Sequence, residues 1–221
     1  MFDFISDMDP TAKGFLGGAA VILIPLVANF AKDIYFDRRK RKAERAYISV
    51  QLVFLLDKFV ARCADVSWDD GYDPRDYAVN DDDLEDQTII PAFDMSSVKG
   101  EHKYLTPNML ARLQFIEIKL NQANEELCDP FAEWTYGGNN WMYFERRRRL
   151  YADVGYYAAS IANDLRTRFK IEVATDWKPV ERIQRSMQQL DEKKADREER
   201  RRQRKAERER KAASAKETAT E

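Results

Sequence analysis

From Gly14 to Ala31 the chain reads GFLGGAAVILIPLVANFA, with no charged residue. As an α-helix this run would rise about 27 Å, close to the ~30 Å hydrocarbon core of a bilayer. Lys13 and Lys32 bound it, and their long stems can reach an interface and make up the difference. A cleaved signal peptide fits such a run poorly here. Asp3, Asp7 and Asp9 precede it against Lys13 alone, and a basic cluster follows at once. A buried core helix is the second reading, since Pro25 and Asn29 dilute the apolar signal. Core helices of this kind are usually shorter and seldom end so abruptly in charge. The sequence therefore predicts a transmembrane helix over 14–31, kinked at Pro25 by the loss of one backbone hydrogen bond.

The flanks give that span a direction. Seven basic residues lie between Lys32 and Arg45, among them Arg38, Arg39, Lys40, Arg41 and Lys42. The positive-inside rule puts this side in the cytoplasm and the acidic tail, residues 1–13, outside. These five residues are expected to set topology and to touch anionic lipid. Gly14 and Gly18 form a GxxxG pair that permits close approach of a second helix, and with it a homo-oligomer.

Beyond the span the pattern is helical. Residues 32–46 are expected to form a basic juxtamembrane stalk. Ile48, Leu52, Leu55, Phe59, Cys63 and Val66 recur at helical spacing over about 46–66. Residues 67–105 form a long irregular loop, whose acidic block holds ten carboxylates between Asp65 and Asp86 against Arg75. Its Asp-rich part is expected to be mobile, and Ile89–Phe93 to dock on the bundle. Thr106-Pro107 caps and opens a second helix. That helix carries the stripe Leu110, Leu113, Ile116, Leu120, Ala123 and Leu127. A turn at Gly137–Asn140 precedes a third helix over about 141–169, with Leu150, Val154, Tyr157, Ile161, Leu165 and Phe169 inward. A fourth starts near Pro179, with Val180, Ile183, Met187 and Leu190 inward.

After Leu190 the apolar stripe stops, and 191–221 reads as a charged helical tail, frayed at its end and supported by i,i+4 pairs. The fold expectation is all-α: one N-terminal transmembrane helix, then a three- to four-helix antiparallel bundle (47–190) and the charged tail.

Catalytic patterns are missing from the sequence. It has no phosphate-cradling glycine loop, GxSxG, HExxH or Cys–His arrangement. His102 is the only histidine, and Cys63 and Cys128 are far apart in sequence. Neither a metal nor another cofactor is expected, and the cysteines read as free thiols. Arg146, Arg147, Arg148 and Arg149 stand out, because four successive helical residues cannot all lie opposite a core. Arg146 and Arg147 continue the Leu150 stripe close to a helix N-terminus, where positive charge is disfavoured. Arg146, Arg147, Arg148 and Arg149 are therefore candidate anion contacts, either to the acidic loop or to phosphate.

Several stretches resemble a group of uncharacterised bacterial single-pass membrane proteins. They are the span with its basic flank, Leu56-Asp57-Lys58-Phe59 leading into Cys63-Ala64-Asp65, Ile90-Pro91-Ala92-Phe93, and Ala162 to Ile171 (ANDLRTRFKI). The resemblance covers about residues 15–175. It implies a bacterial inner-membrane location and architecture, and it adds no activity. The functional expectation is a membrane-anchored helical interaction or scaffold protein that is not an enzyme, with the lipid bilayer and a protein as partners. The alternative is a membrane-held polyanion-binding protein using Arg146–Arg149 and the charged tail. Nucleic acid is the less expected partner, because the net charge is −2.

Overall fold

The structure is a computed structural model that describes residues 10–73, 84–129, 131–132, 140–172 and 178–218, with the side chains of 10–25 and 212–218 outside the description. The described residues are all-helical, without a strand. Their helices are α1 (Pro10–Trp68), α2 (Pro107–Leu127), α3 (Asn140–Phe169) and α4 (Pro179–Thr218).

The transmembrane expectation is corrected. Among the described residues no helix is long and apolar enough to cross a membrane. Of the apolar run, only Leu26–Ala31 has described side chains. Lys32, Asp33, Asp37, Arg38 and Arg39 follow on the same helix, whereas a span needs about 20 predominantly apolar residues. The orientation argument drawn from Arg38–Lys42 rested on that span. The Gly14–Gly18 contact, the Pro25 kink, Asp76, Asp81–Asp83 and the turn at 137–139 lie outside the residues or side chains described.

The chain divides into two compact units, Met1–Ile48 with Gly100–Tyr104, and Ser49–Lys99 with Leu105–Glu221. In the first, Arg45 Nε donates to the Tyr104 carbonyl at 2.8 Å, and Asp37 pairs with Arg41 one turn on at 2.6 Å.

In the second unit α3 is the central helix. Its Arg166 pairs with Asp57 of α1, while Arg148, nearer its start, reaches Ser67 at the end of α1. Against α2, Asp164 meets Arg112, and Arg146 meets Glu126. Against α4, Arg148 meets Gln189, and Glu145 meets Arg197 farther along. Each neighbour therefore runs antiparallel to α3, so α1 and α2 run parallel to each other. This corrects the plain antiparallel bundle and explains the long loop. Parallel neighbours need a connection that returns the length of the helix, about 29 Å for residues 49–68. The return is made along α1: Thr88 binds Asp69, Phe93 packs edge-on against Phe59 at 5.4 Å, and Lys99 exchanges two hydrogen bonds with Gln51. Of the Ile89–Phe93 piece, Pro91 and Phe93 are buried, whereas Ile89 is 91% exposed.

Three neighbours require α3 to bury most of its circumference. It does so with small residues: Ala152, Gly155, Ala158 and Ala162 are buried together with Tyr151, Val154, Ile161 and Leu165. At Gly155 a Cβ would lie 2.6 Å from Cys63 Cβ on α1 and 2.9 Å from Ile183 Cδ1 on α4. The absence of a side chain is what lets three helices meet there. α2 starts as its cap predicts, with Thr106 Oγ1 accepting from Met109 N at 3.3 Å and Pro107 in the first turn.

Candidate functional site

The first turns of α3 carry the four arginines, and the structure spreads them over α1, α2, α4 and the loop that follows α1. Arg147 is fully buried. Its Nη1 donates to Asp69 Oδ2 at 2.7 Å and its Nη2 to the Thr88 carbonyl at 2.7 Å, while its Nε lies 3.5 Å from Asp86 Oδ1. Arg148 is buried as well. Its Nε donates to the Ser67 carbonyl at 2.8 Å and its Nη2 to Gln189 Oε1 at 3.0 Å. Its guanidinium also lies 6.0 Å from the Trp68 ring. Arg146 pairs with Glu126 on α2, and Arg149 Nη1 with Asp191 on α4 at 2.7 Å.

Two physical problems posed by the sequence are met here. Positive charge near the α3 N-terminus is unfavourable, yet Arg148 sits at the C-terminal end of α1, where carbonyls lack intrahelical donors and the helix dipole is negative. The Ser67 carbonyl takes that donor and a second one from Ser186 Oγ. Burying the Arg147 guanidinium is costly unless it is paired and hydrogen-bonded. Asp69, also fully buried in its side chain, supplies the charge.

Asp69 is a dense acceptor. Its Oδ1 accepts from Gly71 N at 3.1 Å. Its Oδ2 accepts from Gln87 N at 3.0 Å, Thr88 N at 2.8 Å and Thr88 Oγ1 at 2.7 Å, besides Arg147. Burial pushes its pKa up, but the hydrogen bonds from Thr88, Arg147 and Gly71, with the Arg147 charge, outweigh burial and hold it below the ordinary value of 3.8. Gly71 makes the turn at φ +84°, where an added Cβ would strike the Phe144 ring. Asp57 behaves oppositely: burial raises its pKa despite Arg166.

Arg38, Arg39, Lys40, Arg41 and Lys42 are exposed on α1. Cys63 is buried, Cys128 is exposed, and His102 lies in the short turn His102–Tyr104. Among the described residues no group of His, Cys, Asp and Glu could hold a metal ion.

Residues that the sequence reading passed over complete the site. Asp69 was one carboxylate among ten, and Thr88 was one loop residue among many. Ser186 was the better clue, since it falls between Ile183 and Leu190 on an apolar stripe. Beside the arginines, α3 and α4 enclose an open groove of about 390 Å³. Its walls carry Trp141, Glu145, Arg146 and Arg149 from α3 and Lys194, Arg197, Glu198 and Arg201 from α4. Arg197 stacks over Trp141 at 4.7 Å and pairs with Glu145.

No known family model, curated protein or solved structure matches this chain.

Proposed function

We propose that the chain is a helical interaction module, a scaffold that binds a protein partner and carries out no catalysis. One observation carries the reading: the helices around α3 leave large apolar side chains uncovered at one-turn spacing. α1 exposes Val50 and Phe54, and α2 exposes Phe115 and Ile118, with Phe54 61% accessible. On the same helices Leu52, Leu56, Leu113 and Ile116 are fully buried in the core. Uncovered apolar pairs on a rigid helix surface supply the anchors that protein partners bury. The arginines support the same reading. Arg147 and Arg148 are used internally, so these two order the bundle and are not open to an external anion.

The test is cross-linking and affinity capture of the full chain from its native cells, beside the variants Val50→Ser with Phe54→Ser and Phe115→Ser with Ile118→Ser. Recovery of one protein that either double variant loses, with helicity and melting temperature kept, supports the reading. Steady turnover of a small metabolite by the purified chain, abolished by a point substitution, would overturn it.

A further inference from the structure

The row of cations that lines the α4 wall of the groove continues along α4 beyond the groove itself. Lys194, Arg197 and Arg201 on its α4 wall are followed by Arg204, Arg208 and Lys211. The steps along this series alternate between three and four residues, which places all six on one face of the helix. The face extends about 25 Å, with a cation roughly every 5 Å. Five of the six are exposed, and Arg197, the partly covered one, stacks on Trp141. On the opposite wall Arg149 spends Nη1 on Asp191, while its Nη2 is shielded from solvent and has no hydrogen-bond partner. A desolvated donor without an acceptor is costly and favours an incoming oxygen. The carboxylates nearby are few. Glu145 is held by Arg197, Glu198 stands in the groove, and Glu207 pairs with Lys211.

We propose that this stripe is a track for the phosphates of a single-stranded nucleic acid, whose end enters the groove beside Arg149. The shape favours a strand over the other polyanions. A groove of about 390 Å³ between two helices admits one phosphate with its sugar and base, but not a flat bilayer or the width of a duplex. Apart from Ala195 and Ala206, residues 191–211 offer nothing apolar to insert beneath lipid headgroups. Guanidinium forks suit phosphate oxygens in paired hydrogen bonds, and five of the six stripe residues are not shared with the bundle core. The site rests on the reading of the chain as an interaction module and adds a nucleic-acid face separate from Val50, Phe54, Phe115 and Ile118.

The experiment uses the full chain and a fluorescent single strand of about 12 nucleotides, within the usual site size of strand-binding grooves, followed by anisotropy across a salt series. The affinity should fall with salt at a log–log slope near −3 to −4, about 0.7 for each of roughly five phosphates. Replacing Lys194, Arg201 and Arg204 together with Gln should weaken binding at least tenfold at low salt and flatten the slope by about 2. Replacing Arg185, Arg202 and Arg210 with Gln makes the same charge change on other faces and should alter affinity less than twofold. All six side chains are exposed, and unchanged circular dichroism excludes unfolding. Absence of binding at low salt, equal weakening by both triple variants, or preferential capture by phosphatidylglycerol vesicles would each overturn the proposal. None of these outcomes bears on the apolar variants, so the protein-partner reading stands or falls separately.

Discussion

Arg147 Nη1 meets Asp69 Oδ2 at 2.7 Å with both side chains fully buried. The pair joins the start of α3 to the residue that follows α1, and through Thr88 it also holds the returning loop.

Removing one partner from such a pair leaves an uncompensated buried charge. Asp69→Ala and Arg147→Met should each cost about 3–5 kcal/mol in urea unfolding. The double variant should lose much less than the sum, because neither charge is then stranded. Amide exchange should rise first at Gln87 and Thr88, whose N–H groups Asp69 accepts. Additive losses would show that the two residues act independently.

Asp69 also governs the acid limb of stability. Its folded pKa lies below 3.8, so its contribution is present above the unfolded value and is lost as pH falls through the folded one. Asp57 is raised, and its contribution is greatest at low pH and declines as pH rises through its shifted value. Wild type should therefore lose stability steeply below about pH 4, and Asp69→Asn, though weaker at neutral pH, should show a flatter acid limb. Denaturant midpoints between pH 2 and 7 check this, and parallel acid limbs would refute it.

Gly155→Ala should destabilise by about 1–3 kcal/mol through overpacking. The added methyl would meet Cys63 Cβ first. Cys63→Ala keeps that atom and should not rescue the variant, whereas Cys63→Gly should restore part of the loss. Thermal melts of the three combinations decide it.

Lys170 follows the last residue of α3 at φ 55°, and Ile171 N bonds back to the Arg166 carbonyl at 3.1 Å. This is the left-handed helix end that glycine adopts without a Cβ penalty. Lys170→Gly should raise stability by about 0.5–1 kcal/mol, and Lys170→Val should lower it. A melting temperature that does not rise for the glycine variant would contradict the assignment.

Periodicity carried the helices of the bundle well. Leu113, Ile116, Leu120, Ala123 and Leu127 are the buried face of α2, and Ile183 and Leu190 that of the α4 start. It carried α3 less well. A single stripe through Leu150 assumes one packing face, whereas a helix with three neighbours buries Arg147, Arg148, Ala152 and Ala158 as well. Apolar spacing cannot register a buried arginine, because its burial depends on a partner that is distant in sequence. The six-cation face of α4 lay in plain view, but the net charge of −2, taken over the whole chain, averaged it away.

Local chemistry determined what local chemistry can: helix starts at Thr106-Pro107 and Pro179, core stripes, and the solvated charge after Leu190. Those features depend on neighbours within a turn or two, where hydrophobic period and capping act. The tertiary structure decided that α1 and α2 run parallel, that the acidic loop returns along α1, and that four adjacent arginines serve three helices and a loop. Each of these depends on atoms brought together from positions tens of residues apart. A carboxylate such as Asp69 is one of many along the chain until folding removes water from it and places Arg147 at 2.7 Å.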